Sequence, residues 1–156
     1  MEIYTRRVLF EDGHFSCTDT VAQLDNPIGD ELLRPTRIYV KSILNLIKNF
    51  NVRGIVHITG GGFLDNIPRI VPGPCRAVIK RDVWAVPPIF DLIQKTGKIE
   101  DIEMFRVFNM GIGMILIVSE KDQAEVMERL ETLGEKAYLL GLIEKRESHQ
   151  LPVSFL

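Results

Sequence analysis

The residues best suited to chemistry lie in one short run, His57-Ile58-Thr59-Gly60-Gly61-Gly62. Each glycine in ordered structure costs roughly 0.5–1 kcal/mol relative to alanine, so three in succession should cost about 2–3 kcal/mol. Close approach of bare backbone to a ligand would offset that cost. If a helix begins near Phe63, its free N–H groups point back at the glycines and can bind an anion. The alternative is a tight turn that needs positive φ angles.

Side chains beside the glycines could complete an anion site. Thr59 offers a hydroxyl donor, and Arg69 offers a charge-assisted contact to phosphate. His57 shares one strand face with Ile55 and Thr59, and its place before the glycines suits a ligand contact or a general acid–base role. A lone histidine in an apolar strand is explained equally well as a core residue. The pattern is neither G-x-G-x-x-G nor a P-loop, because no Gly-Lys-Ser/Thr follows.

Two other segments carry polar side chains that could face an anion. Thr36, Arg37 and Lys41 fall within seven residues, although a solvated surface segment explains them too. Asn109 opens the run Asn109-Met110-Gly111-Ile112-Gly113, which a bulge or a helix–strand crossing explains equally well. The sequence contains no H-E-x-x-H motif and no Cys/His cluster, so we assign no metal ligands.

Length and composition limit the class of protein. The chain has 156 residues, of which 46% are hydrophobic and 26% charged, so we expect one globular domain. Its 19 basic and 21 acidic residues argue against nucleic-acid binding. No apolar run approaches the roughly 20 residues of a membrane span, and the N-terminus lacks the apolar region of a secretory signal. With Cys17 and Cys75 far apart, we expect reduced cysteines in a cytoplasmic protein.

Strands and helices alternate unevenly along the chain. This favours an α+β fold, with a mixed β-sheet layered with helices, over a regular doubly wound fold. Hydrophobic patterning predicts strands over residues 3–10, 54–59, 76–80, 113–118 and 137–143. It predicts helices over residues 30–33, 42–51, 87–95 and 101–108, and a last helix that follows Ser119 and ends at Leu133. Residues 145–156 show no clear pattern, which allows either a loose tail or a packed extension.

Several motifs resemble those of one known family. The run from His57 to Pro72, HITGGGFLDNIPRIVP, is similar to the signature of phosphoribosylformylglycinamidine cyclo-ligase, also called aminoimidazole ribonucleotide synthetase. The runs PTRIYVK (35–41) and FNMGIGM (108–114) resemble two further family motifs in the family's order, and Trp84-x-x-Pro87-x-Ile-Phe90 fits as well. The resemblance covers roughly residues 3–144. It implies the C-terminal domain fold of the aminoimidazole ribonucleotide synthetase superfamily, as a domain over residues 1–144 followed by the tail 145–156.

The resemblance implies a reaction in de novo purine biosynthesis, the ATP-dependent closure of formylglycinamidine ribonucleotide to aminoimidazole ribonucleotide. The family uses ATP and Mg²⁺ to activate the formyl oxygen as a phosphorylated intermediate, from which the neighbouring amidine nitrogen displaces phosphate. A poor oxide leaving group thus becomes a good phosphate one. Much of the catalysis should therefore be positioning and charge stabilisation.

The resemblance also assigns residues. The substrate or phosphate side of the cleft corresponds to His57, in an unassigned catalytic role, and to Thr59, Gly60, Gly61 and Gly62. Residues expected to support or extend that side are Asn66, Arg69, Thr36, Arg37, Lys41 and Asn109. The resemblance does not identify the general base.

The family enzyme has, in addition, an N-terminal domain that carries the ATP loop. This domain provides the main binding site for ATP and Mg²⁺ and makes most of the homodimer contact. No part of this chain resembles it, so we expect an expressed fragment, a truncated gene product or one half of a split enzyme. The expected partners are that N-terminal domain and formylglycinamidine ribonucleotide, without nucleic acid or membrane, and the chain alone should be inactive. Two alternatives stay open: a non-catalytic phosphoribosyl- or partner-binding module of the same fold, and a fragment of the sister-family formylglycinamidine ribonucleotide synthetase.

Overall fold

The structure, a computed structural model, describes residues 2–156 as helices packed on two small β-sheets. The α-helices are α1 (Glu2–Arg6), α2 (Ile28–Leu32), α3 (Val40–Asn49), α4 (Gly62–Asn66), α5 (Pro88–Gly97), α6 (Asp101–Val107) and α7 (Gln123–Thr132). The strands are β1 (Gly54–His57), β2 (Cys75–Ile79), β3 (Met114–Ile117), β4 (Gly141–Lys145) and β5 (Val153–Phe155). A π-helix follows α1 (Arg7–Asp12), and 3-10 turns follow α4 (Ile67–Arg69) and precede α7 (Glu120–Asp122).

The strands pair in both directions. β1 and β3 form an antiparallel ladder that runs from Gly54 opposite Ile117 to His57 opposite Met114. In the second sheet, β2 lies between β4, to which it is antiparallel, and β5, to which it is parallel. Mixed pairing with unevenly distributed helices confirms the predicted α+β class.

An aromatic cluster anchors the segment that follows the glycines. Phe63 is buried, and its ring centroid lies 6.0 Å from that of Trp84 and 5.5 Å from that of Phe105. The indole N–H of Trp84 donates to the carbonyl of Met110 at 2.9 Å, so the buried ring leaves no polar atom unsatisfied. Because Phe63 follows Gly62 directly, its burial fixes one end of the glycine run against the core.

The predicted strand over residues 3–10 is wrong, because this segment forms α1 and the π-helix. Val8 and Leu9 are both buried, and the π-helix packs against α5. Successive side chains of a strand point to opposite faces, whereas a helical turn brings neighbouring residues toward one partner. Val8 and Leu9 thus join the core from a helical segment that packs against α5, a partner distant in the sequence that the apolar run does not reveal.

The C-terminal region also differs from the sequence pattern. The last strand was predicted over residues 137–143, whereas the observed strand β4 covers Gly141–Lys145. Leu140 precedes β4, and its carbonyl accepts a hydrogen bond from the Lys80 N–H at 2.7 Å. Residues 145–156 contain β5, whose Val153 is buried beside Ala77 of β2. Of the two alternatives for this segment, the packed extension is therefore the correct one. No helix among residues 2–156 combines the length and hydropathy required to cross a bilayer.

Candidate functional site

Strand β1 presents His57 at its carboxyl end. The N–H of Ile58 donates to the carbonyl of Gly113 at 2.9 Å, which extends the ladder one residue beyond β1. Val56 and Ile58 are buried, whereas His57 and Thr59 are exposed. The predicted alternation therefore holds, and it sets the imidazole and the threonine hydroxyl on the face opposite the core.

The three glycines have different surroundings. Gly61 and Gly62 have φ angles of +96° and +52°, the left-handed region that favours glycine. A Cβ on buried Gly62 would collide with the carbonyl oxygen of Phe105. Gly60 is exposed, has no left-handed φ, and would have nothing within 4 Å of an added Cβ. The turn therefore accounts for Gly61 and Gly62, and only Gly60 is left free to admit a ligand.

Asn66 supports this loop from inside. Its side chain is 4% exposed, and Nδ2 donates to the carbonyls of Gly62 at 2.8 Å, Gly60 at 3.3 Å and Thr59 at 3.4 Å. These bonds draw the carbonyl oxygens inward. Among the described residues, the N–H groups of Gly60 and Gly61 have no acceptor. The loop thus holds two N–H groups without an acceptor, while Asn66 engages the carbonyls of Thr59, Gly60 and Gly62.

A cleft of about 230 Å³ runs beside β1, and its two ends differ in chemistry. The polar end is lined by His57, Thr59, Asn66 and Arg69, and the apolar end by Ile55, Val56 and Ile70. Within residues 2–156, no hydrogen bond or ion pair engages the exposed guanidinium of Arg69. The polar end can therefore offer a cation, a hydroxyl and an imidazole to one ligand.

Tyr39 adjoins this group, and the sequence reasoning did not single it out. Its ring meets that of His57 edge-on, with 6.2 Å between centroids, and its hydroxyl occupies the space that a Cβ on Gly113 would need. Burial raises the pKa of Tyr39, with Glu135 adding to the shift and the Arg37 guanidinium opposing it. The signal available in the sequence was its place inside PTRIYVK, between two residues that were chosen.

The other predicted site residues do not line the cleft. The guanidinium of Arg37 pairs with the Glu135 carboxylate at 2.7 Å and donates to the carbonyl of Gly134 at 3.0 Å, so it ties the segment before α3 to the end of α7. Thr36 and Lys41 are exposed. The Asn109 side chain accepts from the N–H of Gly111 at 3.0 Å, which closes the turn before β3.

No group of three or more His, Cys, Asp or Glu side chains in the described part of the chain is arranged to hold a metal ion. The polar side chains that line the cleft, those of His57, Thr59, Asn66 and Arg69, include no carboxylate, although the Asp65 side chain lies beside Gly61. This chemistry suits an anionic ligand such as a phosphate ester.

An α+β domain with a strand, a glycine turn and a basic, imidazole-bearing cleft defines a class of small domains suited to binding anionic ligands. Comparison with known proteins makes the class specific. Residues 2–154 match the family described as "AIR synthase related protein, C-terminal domain", and the chain belongs to this family. The resemblance drawn from the motifs is thereby confirmed.

Several similar proteins carry the name phosphoribosylformylglycinamidine cyclo-ligase. That of Syntrophus aciditrophicus (strain SB) is 59% identical over 150 residues, which are 96% of this chain and 43% of the relative. That of Geotalea daltonii is 54% identical and that of Citrifermentans bemidjiense 51% identical, each over 140 residues that make up 90% of this chain and 40% of the relative. The chain thus spans about two fifths of the length of these relatives.

Proposed function

We propose that this chain is the C-terminal, substrate-side domain of a phosphoribosylformylglycinamidine cyclo-ligase. The proposed reaction is the ATP-dependent closure of formylglycinamidine ribonucleotide to aminoimidazole ribonucleotide in the cytoplasm. The observation that carries the proposal is the polar end of the cleft, where Arg69 and Thr59 can face one phosphate, next to a glycine loop whose Gly60 and Gly61 N–H groups have no acceptor among the described residues. The cyclo-ligase names of relatives that are 51% to 59% identical favour this reaction over that of the sister family.

The substrate's 5′-phosphate is the group that this end would bind. Arg69 would neutralise part of its charge, the Thr59 hydroxyl would donate one hydrogen bond, and the N–H groups of Gly60 and Gly61 would donate two more. Bonds to a charged acceptor contribute about 1.5–3 kcal/mol each, more than neutral bonds do. Helix α4 has five residues, so side chains and amides, rather than a helix dipole, would provide most of the binding.

His57 would contact the substrate beside the phosphate. Its imidazole is exposed and meets Tyr39 edge-on, so the ring has a defined position from which it can hold or accept a proton. Binding the phosphate in the same cleft would orient the rest of the substrate relative to this ring, and positioning is a large part of the catalysis expected for such a reaction.

ATP and Mg²⁺ would be bound mainly by the polypeptide that corresponds to the remaining length of the relatives. When bound, ATP supplies the phosphoryl group that makes the formyl oxygen a good leaving group. The residues of this chain would hold the substrate for that event, and ring closure would require both parts, in the homodimer proposed for the whole enzyme.

The test combines this chain with the separately produced remaining portion of the Syntrophus aciditrophicus relative. We expect the chain alone to bind formylglycinamidine ribonucleotide in calorimetric titration without turning it over, and the mixture to close the ring when ATP and Mg²⁺ are present. Arg69→Ala should weaken binding about tenfold or more, as loss of one charged contact implies. Arg129→Ala, which removes an exposed arginine of α7 from outside the cleft, is the matched control.

Each outcome identifies one function. A mixture that neither turns over nor binds the substrate or its product contradicts the enzymatic proposal. Binding of the substrate by the chain, with no turnover in a mixture shown to associate, would instead favour the non-catalytic phosphoribosyl-binding module.

A further inference from the structure

The hydrogen bonds of the β1–β3 ladder reveal which backbone groups of β1 face away from β3. The bond from the Ile58 N–H to the Gly113 carbonyl fixes the phase of the ladder, and hydrogen-bonded pairs alternate along an antiparallel pair of strands. Gly54, Val56 and Ile58 therefore bond toward β3. The N–H and C=O groups of Ile55 and His57 point the other way.

These outward groups form an open edge. No backbone or side-chain group in residues 2–156 bonds to the outward N–H and C=O groups of Ile55 and His57. A row of unpaired amides and carbonyls on an apolar strand is a template for another strand. A sheet of two strands is itself marginally stable, and three or more strands are the usual minimum.

The surroundings of this edge are those of an unfinished sheet. The side chains of β3, Met114 to Ile117, are all apolar, and all four are only half-buried. Alongside β1, the apolar end of the cleft is lined by Ile55, Val56 and Ile70, and Ile70 is 44% exposed. Ile70 lies close to β1, because a Cβ on Gly54 would come within 2.9 Å of its Cγ2 atom. An apolar wall thus stands next to the free amides.

We propose that the free edge of β1 binds an extended, largely apolar strand that belongs to the part of the longer homologous enzymes outside this chain. Two residues with outward N–H and C=O groups offer two donors and two acceptors in strand spacing, which the backbone of another strand satisfies and a helix does not. The match covers 43% of the Syntrophus aciditrophicus relative, so more than half of that polypeptide is available to supply the strand.

This proposal is independent of the proposed function. The strand would pair with the backbone N–H and C=O groups of Ile55 and His57, whereas the anion would contact the side chains of Thr59 and Arg69. Failure of phosphate binding would leave the strand unaffected, and a missing strand would leave the phosphate donors in place.

Backbone amide hydrogen exchange with residue resolution tests the proposal. It is measured on this chain and on the full-length Syntrophus aciditrophicus enzyme. In this chain, the amides of Ile55 and His57 should exchange freely, while those of Val56 and Ile58 are protected by β3. In the full-length enzyme, the amides aligned with Ile55 and His57 should exchange about 100-fold more slowly than in this chain, as expected for a paired strand.

Three results would overturn the proposal. The first is free exchange of the aligned amides in the full-length enzyme, which means that no strand pairs there. The second is protection of Ile55 and His57 in this chain that grows with protein concentration, which means that a second copy covers the edge. The third is protection in the full-length enzyme of the amides aligned with Met114 and Leu116, which means that the added strand pairs with β3 instead.

Discussion

Replacing Gly60 and Gly62 by alanine, one at a time, separates ligand binding from folding within a single loop. Gly62 has a φ of +52°, and an added Cβ would face the carbonyl oxygens of Phe105, Arg106 and Phe108. A left-handed conformation costs a non-glycine residue roughly 1–2 kcal/mol, and overpacking in a core costs typically 1–3 kcal/mol. Gly62→Ala should therefore lose about 2–5 kcal/mol of unfolding free energy.

Gly60→Ala should behave in the opposite way. Nothing lies within 4 Å of the added Cβ, and φ is outside the left-handed region, so the methyl group meets no obstacle in the folded state. The unfolded chain loses some freedom, which in compatible positions stabilises a protein by about 0.4–1 kcal/mol. If a phosphate approaches this backbone, however, the same methyl group obstructs it, and affinity should fall about tenfold through loss of one charge-assisted bond.

Urea unfolding and calorimetric titration with formylglycinamidine ribonucleotide measure the two effects on the same samples. The expected pattern is an unchanged or slightly raised unfolding free energy with weakened binding for Gly60→Ala, and a large loss of stability for Gly62→Ala. Full affinity in the Gly60→Ala variant would refute the inference that the ligand approaches the bare backbone. Unchanged stability of Gly62→Ala would refute the account of the loop geometry itself.

Three further predictions concern the neighbours of the loop. Asn66→Ala removes the side-chain donor that the carbonyls of Thr59, Gly60 and Gly62 share, although the Thr59 carbonyl still accepts from the Gly62 N–H, and it should lower the unfolding free energy in urea by about 1–3 kcal/mol. Arg37→Ala removes an ion pair with Glu135 in which the arginine side chain is 56% exposed, so the unfolding free energy in urea should fall by less than about 1 kcal/mol. Calorimetric titration should find its affinity for the substrate unchanged, whereas Arg69→Ala should mainly weaken binding. Because folding raises the pKa of Tyr39, the folded state favours the protonated phenol. The stability that this contributes is complete below the unfolded pKa of about 10 and is lost as the pH rises through the folded pKa. Tyr39→Phe should abolish this loss when unfolding is measured as a function of pH.

Local pattern was sufficient to predict elements that bury one continuous apolar segment. The run 54–59 is rich in β-branched residues, and β1 occupies its first four positions. The predicted helix at 87–95 is observed as Pro88–Gly97, because proline suits the first helical turn and an amphipathic sequence follows it. The π-helix at Arg7–Asp12 was not predictable in this way, since its conformation depends on contact with α5, which is distant in the sequence.

The sequence was sufficient to predict several residues of the candidate site, but not which of the predicted residues line the cleft and which make structural contacts instead. The motif brought His57, Thr59 and Arg69 into one hypothesis, and the structure places all three on one cleft. Arg37, chosen for its charge, is instead paired with Glu135 at the far end of α7. Whether an arginine binds a ligand or pairs with another part of the protein depends on residues that are distant in the sequence. A positive charge in a short motif is compatible with either role.

The glycine run shows the same division at the scale of single residues. Three identical letters differ because α6 and the residues after it place carbonyl oxygens against Gly62, Asp65 lies 2.9 Å from a Cβ on Gly61, and open space surrounds Gly60. The cost of the run is therefore accounted for mainly by the turn, and Gly60 is the one position of the three where neither φ nor a neighbouring atom requires a glycine. Substitutions at Gly61, where φ is +96°, would impair the turn and the donors together, so a binding defect there could not be assigned to either cause. Substitution at Gly60 is therefore the test of anion binding by this loop that does not also disturb the turn.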